Sequence, residues 1–169
     1  FMGYNLQPRI LLEETTPKII RNLKDEAVDV VVLVPAWPIC NWSVGLVQRE
    51  IEVAGFSTIT LANIPDLVQA VSAPRLAGIE HPFGQTVGDP GDVQTQMAVV
   101  RATLQALESI SEPCGVVHLP FEWAGDPKQI KHDMEPPPIA KYLMRHPWQV
   151  RNLLNRQVPE KFQVWTVIS

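Results

Sequence analysis

The hydrophobic positions of this chain change period several times, and each change marks an element. Residues 29–34, Asp-Val-Val-Val-Leu-Val, are an unbroken apolar run rather than an alternation. Such a run predicts a parallel strand covered on both faces, here the central strand of a sheet. From Asn41 to Ala54 the apolar residues Val44, Leu46, Val47, Ile51 and Ala54 recur at helical spacing, and Gly55 supplies a C-terminal cap. Residues 56–61 read as the next strand. Asn63 stands where it could cap a short helix through Pro65, Leu67, Val68 and Val71, followed by a strand over 75–79. A loop containing Gly84, Gly88 and Gly91 precedes the longest helix, with Asp89 as its expected cap and an apolar stripe including Met97, Val100, Leu104 and Leu107. Residues 116–119 predict a last strand. Upstream, Thr16 as cap and Pro17 at the first helical position predict a short helix. Downstream, 139–144 and 148–155 predict short helices separated by Pro147.

The β-α-β-α-β order implies an α/β fold: a right-handed, doubly wound, mostly parallel open sheet with flanking helices. The expected division is an N-terminal segment and short helix over 1–26, an α/β domain over 27–120, and a C-terminal arm with short helices over 121–169. At 169 residues and 46% hydrophobic, the chain suffices for one substantial core. Its 16 prolines, densest at Pro136, Pro137 and Pro138, make the arm extended rather than independently folded. Together with Trp123, Trp148 and Trp165, they suggest an arm that lies on its own domain or on a second subunit. A net charge of −4, with 14 scattered basic residues, argues against nucleic acid or an anionic membrane as partner. The chain lacks an apolar stretch long enough to span a bilayer and a basic-then-apolar start, so a cytoplasmic location is expected.

Candidate chemistry gathers where parallel strands end, because loops and helix starts converge there. Cys40 falls at the first turn of the helix after the apolar run. The positive end of a helix stabilises anions, so a cysteine there can act as a nucleophile or redox group. It can equally be a small apolar residue packed under the sheet. In the first reading Cys40 is catalytic, the N–H groups of Asn41 and Trp42 stabilise negative charge, and Ser43 bonds substrate or caps the helix. His81, after the third strand, could bind substrate or act as acid or base; the plainer reading is that its ring holds the turn before Pro82. The glycine loop matches neither phosphate-binding spacing. Cys114 is expected to be structural, although a Cys40–Cys114 redox pair is conceivable. The four histidines and two cysteines show no metal-ligand spacing, so no metal is expected.

The run from Val28 to Ile59, containing Val-Pro-Ala-Trp-Pro-Ile-Cys-Asn-Trp-Ser-Val-Gly-Leu-Val-Gln-Arg-Glu, and the later His-Pro-Phe-Gly before a long helix resemble a known family. They are similar to the selenoprotein B type subunits of glycine, sarcosine, betaine and D-proline reductases, over about residues 27–110. The resemblance implies a selenocysteine or cysteine after the strand, with a second cysteine three positions later. It also implies a partner subunit that can carry a pyruvoyl group holding an amine substrate, and reductive cleavage of a carbon–nitrogen bond. In that register Cys40 is the later cysteine and Trp37 occupies the redox position. Either a UGA codon has been read as tryptophan, or this chain has lost or changed the reductive step.

Three functions follow. The first is a reductase-like subunit of a multi-subunit oxidoreductase, working through Cys40 on a small amine or acid, with no cofactor in this chain. The second is a non-catalytic accessory subunit of such a complex, which Trp37 favours. The third, drawn from the Cys40-Asn41 turn, is a racemase-like enzyme, which would require a second thiol facing the first.

Overall fold

The computed structural model describes residues 8–38, 40–125, 138–149 and 151. The chain divides into two compact units, residues 1–124 and 125–169. The first contains a four-stranded, all-parallel sheet in the order β1-β2-β3-β4. Its strands are β1 (Val30–Leu33), β2 (Ser57–Ala62), β3 (Arg75–Glu80) and β4 (Gly115–Glu122). Helix α1 (Thr16–Asp25) precedes the sheet, and α2 (Cys40–Val53), α3 (Pro65–Gln69) and α4 (Val93–Ser109) make the connections. In the second unit, α5 (Pro138–Arg145) covers the helix expected over 139–144 and is followed by a 3-10 turn at Pro147–Gln149. Most of the expected proline-rich arm, Trp165 included, lies outside the described residues.

The register shows which residues share a face. Leu33 pairs with Thr60, Thr60 with Leu76, and Leu76 with Val116, giving one row across the sheet. On this side Leu33 packs with Val44, Val47 and Ile51 of α2, and Leu76 packs with Val68 of α3. The other side carries Ile59, Leu61, Ala77 and Ile79 against Val99 and Ala106 of α4. Helices therefore cover both faces, as the doubly wound expectation requires. The handedness expectation needs a correction. Both β1–α2–β2 and β3–α4–β4 step the same way across the sheet while their helices lie on opposite faces, so the two connections have opposite hands and only one can be right-handed.

Three further expectations change. Among the described residues, strand β1 is an edge strand, not the central one. Its Leu33 is buried, but Val30 and Val32 are 39% and 40% exposed, because α4 sits over its neighbours. An unbroken apolar run reports residue type, not which face finds a cover. In α4 the buried residues are Val99, Thr103 and Ala106, whereas Met97, Val100 and Leu104 of the expected stripe are exposed. Thr103 supports this because its hydroxyl donates to the Val99 carbonyl at 2.8 Å, so a threonine fills a core position without an unmet hydroxyl. Finally, Thr16 is not a cap. The helical path begins upstream at Pro8 and passes through a wide turn at Leu11–Thr15, and the buried Thr16 hydroxyl donates to the Leu11 carbonyl at 2.8 Å.

Between α2 and the sheet lies a polar seam. The Gln48 side chain, fully buried, donates to the Arg75 carbonyl at 2.9 Å and accepts from the Thr60 hydroxyl at 2.7 Å. One turn on, Glu52 accepts from the Thr58 hydroxyl and pairs with the Arg75 guanidinium. Alternation in β2 thus serves two buried environments: Thr58 and Thr60 face the seam, and Ile59 and Leu61 face α4. These bonds anchor the helix that carries Cys40. Gly45 sets how closely α2 and α3 approach, since a Cβ there would lie 2.5 Å from the Val71 side chain.

Candidate functional site

Strand β1 leaves the sheet through Val34 and Pro35 and turns at Trp37–Pro38 into α2. The Cys40 N–H donates to the Trp37 carbonyl at 3.0 Å, and the Asn41 N–H donates to the Pro38 carbonyl at 3.2 Å. The Asn41 side-chain amide reinforces both bonds, reaching the Trp37 carbonyl at 3.2 Å and the Pro38 carbonyl at 3.0 Å. Asn41 is thus a clamp on the turn, and its backbone N–H is already engaged rather than waiting for an anion. Its Oδ1 is buried and has no hydrogen-bond partner among the described residues. Ser43 is buried on the same first turns of α2, while Trp37 and Trp42 stand 64% and 51% exposed.

Cys40 itself is 9% exposed. It borders a cavity of about 350 Å³ lined by Ile19, Leu23, Val31, Leu33 and Val44, among others, all of them apolar. Among the described residues no charged side chain and no histidine lines this cavity. A thiol here has room beside it and a helix start beneath it. Among the described residues that line the cavity, none is a general base that could take its proton.

His81 occupies a separate place. It follows β3, and Cys40 follows β1, so two inter-strand spacings, or about 10 Å, separate their strands. The His81 ring is buried and its Nδ1 lies 3.1 Å from the Thr86 carbonyl. A carbonyl only accepts, so Nδ1 carries the hydrogen and Nε2 of the neutral ring is left with a lone pair. Asn63 completes the loop. Its side-chain amide donates to the His81 carbonyl, and its Oδ1 accepts from the Thr86 hydroxyl at 2.9 Å. Instead of capping α3, Asn63 ties the end of β2 to the loop after β3. The ring of His81 also meets Trp123 edge-on at 5.3 Å and Phe121 at 6.5 Å.

The structure therefore brings Cys40, Asn41, Trp42 and Ser43 together at one strand end and sets His81 apart with Asn63 and Thr86. Sequence reasoning missed Thr86 and Trp123 beside the histidine. Nothing in their local sequence marks them, since they converge only because three successive strands end on one side. Trp123 Nε1 and Gln85 Oε1 are both buried without a hydrogen-bond partner among the described residues. The helix cap after the glycine loop is Asp92 rather than Asp89. Its carboxylate accepts from the Thr95 N–H at 3.0 Å, and bonding to Thr95 holds its pKa below the ordinary carboxylate value.

Cys114 cannot reach Cys40. It precedes β4 and Cys40 follows β1, so the residues lie at opposite ends of the sheet and three strand spacings apart, about 14 Å laterally alone. A disulfide needs Cα atoms within about 7 Å. Both cysteines are free. The intrachain redox pair is excluded by this topology, and the two thiols of this chain do not face each other as a racemase would require. Among the described residues no group of three or more His, Cys, Asp or Glu side chains is placed to hold a metal ion. No helix among them is long and apolar enough to cross a membrane.

No family model and no solved structure matches the chain. The chain is similar to D-proline reductase subunit gamma of Acetoanaerobium sticklandii, with 36% identity over 123 residues, 73% of this chain. It spans about half the length of that relative, 51%. An identity of this size over 123 residues supports a relationship to that reductase family.

Proposed function

We propose that this protein is a subunit of a multi-subunit reductase of the D-proline reductase kind, acting through Cys40 on a small amine or acid. The observation that carries the proposal is the similarity to a D-proline reductase subunit over 123 residues, together with a cysteine at the first turn of the helix that follows a parallel strand. Reductive cleavage of a carbon–nitrogen bond consumes two electrons and two protons, which two thiols supply on becoming a disulfide. Cys114 is out of reach, so the second thiol comes from another chain or from a small dithiol. Partner subunits also supply what the apolar Cys40 cavity lacks: charged groups for the substrate and a base for the thiol. A pyruvoyl group, if the reaction uses one, belongs to such a partner.

The exposed Trp37 favours a second reading, a non-catalytic accessory subunit. Tryptophan occupies the position where the reductase resemblance implies the redox group, and its 64% exposure suits a contact with another chain. Dithiol oxidation by the co-purified complex, with D-proline as probe, separates the readings. Under the catalytic reading, Cys40→Ser lowers the rate at least about a hundredfold and Cys114→Ser leaves it unchanged. Equal rates for both variants would establish the accessory role.

A further inference from the structure

We propose that a second cavity, at the end of the sheet opposite Cys40, binds a small zwitterion: an α-amino acid with a short apolar side chain. The cavity measures about 380 Å³, within the range of ligand pockets, roughly 300–1,000 Å³. Three segments build it: the last turns of α2, the loop that leads into β3, and the loop that leads into β4. Its four charged side chains are Arg49, Glu52, Arg75 and Glu112. Arg75 and Glu52 pair with each other, and both also bond Thr58, Arg75 its carbonyl at 3.4 Å and Glu52 its hydroxyl. Arg49 and Glu112 remain, and among the described residues neither forms an ion pair. Hydrogen bonds set both in place. Arg49 Nη1 donates to the Val71 carbonyl at 3.1 Å, and the Gly115 N–H donates to the Glu112 carbonyl at 3.1 Å, closing the turn that carries Glu112.

The cavity thus presents one unmatched cation and one unmatched anion. A guanidinium takes a carboxylate, and a carboxylate takes an ammonium. A phosphate or other polyanion would meet the carboxylates of Glu52 and Glu112, and a simple cation would meet Arg49. A hydrocarbon would strip water from both charges and return no bond. A zwitterion answers both, while Val53, Pro74 and Pro113 give its side chain an apolar wall. Val53 is 84% exposed, so covering it is favourable. The backbone adds an independent observation. Among the described residues Ala27, Ser72 and Cys114 are the non-glycine positions with positive φ, and Ser72 at 56° and Cys114 at 59° both line this cavity. Such conformations carry a cost that glycine would avoid, and they gather at functional sites. The site does not depend on the chemistry assigned to Cys40 and stands or falls separately from it.

The test titrates the full chain with L-valine and, separately, D-valine, read by isothermal titration calorimetry and by amide chemical shifts. At least one enantiomer should bind saturably, one molecule per chain, and shift the amides of Ser72, Glu112 and Gly115. Arg49→Gln and Glu112→Gln should each weaken that binding at least about tenfold, while Cys40→Ser leaves it unchanged. Both replaced side chains are exposed, so the fold should hold. Ligands that lack one charge make the same test on the unaltered protein: isovalerate, without the ammonium, and isobutylamine, without the carboxylate, should each bind at least about tenfold more weakly than valine. Four results would overturn the proposal. One is no saturable binding of either enantiomer up to about 20 mM. Another is isovalerate or isobutylamine binding as tightly as valine, which would mean that only one charge is read. A third is binding that either variant leaves unchanged. The fourth is a set of shifts confined to residues 40–43, which would move the ligand to the Cys40 end of the sheet.

Discussion

Replacing Gln48 with leucine probes the seam that fixes α2, and with it Cys40, to the sheet. The side chain is fully buried and both ends are bonded, to the Arg75 carbonyl and to the Thr60 hydroxyl. Leucine has similar volume but removes both bonds, each worth about 1 kcal/mol net. It also strands the Thr60 hydroxyl in a site with no solvent access, at about 1–3 kcal/mol. The sum is a loss of about 3–5 kcal/mol, which lowers Tm by roughly 10–20 °C for a unit of this size. Thr60→Val in the Gln48→Leu background removes the stranded hydroxyl and should recover about 1–3 kcal/mol, giving a coupling of that size in a double-mutant cycle. Urea unfolding followed by circular dichroism measures all four corners. A cost for Gln48→Leu below about 0.5 kcal/mol, or a double variant no more stable than the single, would refute the assignment of the seam as a load on stability.

Other outcomes follow from the same structure. Ile59→Ala, at a fully buried position facing α4, should cost about 2–5 kcal/mol, whereas Met97→Gln on the exposed side of α4 should stay within about 0.5 kcal/mol in the same unfolding assay. Asp92 has its pKa lowered below 3.8 by bonds to Thr95, so its contribution is present above that pH and is lost as pH falls through the folded value. Thermal melts between pH 5 and pH 3 should therefore fall more steeply for the wild type than for Asp92→Asn, which keeps a capping oxygen but does not titrate. Asn41→Leu removes two clamp bonds and the unpartnered Oδ1 together. Stability should change by less than about 1.5 kcal/mol because these terms oppose each other, while the alkylation rate of Cys40 should shift several-fold as the Trp37–Pro38 turn loosens.

Local pattern made the element order readable, and topology decided what it could not show. The run Val30–Leu33 was legible as a parallel strand from its composition, yet its place at the sheet edge depends on which strand later pairs with β2. The helix over 93–109 was legible too, but its face was not. Thr103 and Ala106 bury as well as leucine does where α4 lies close to the sheet, and Met97 and Leu104 stay exposed. Cys40 at the start of α2 was visible in the sequence because the strand, turn and helix are contiguous. The ties from Asn63 and Thr86 to His81 join separate loops, so no local signal announced them. The plain reading of His81, a ring that holds its turn, describes the bond it makes.

The most direct test of the proposed reductase role is dithiol oxidation by the complex purified with this chain, D-proline being the probe. A thiol-dependent subunit requires that Cys40→Ser lower the rate at least about a hundredfold while complex assembly, read by size exclusion, is unchanged. An unchanged rate with Cys40→Ser, or a wild-type complex that oxidises no dithiol, would contradict chemistry at Cys40.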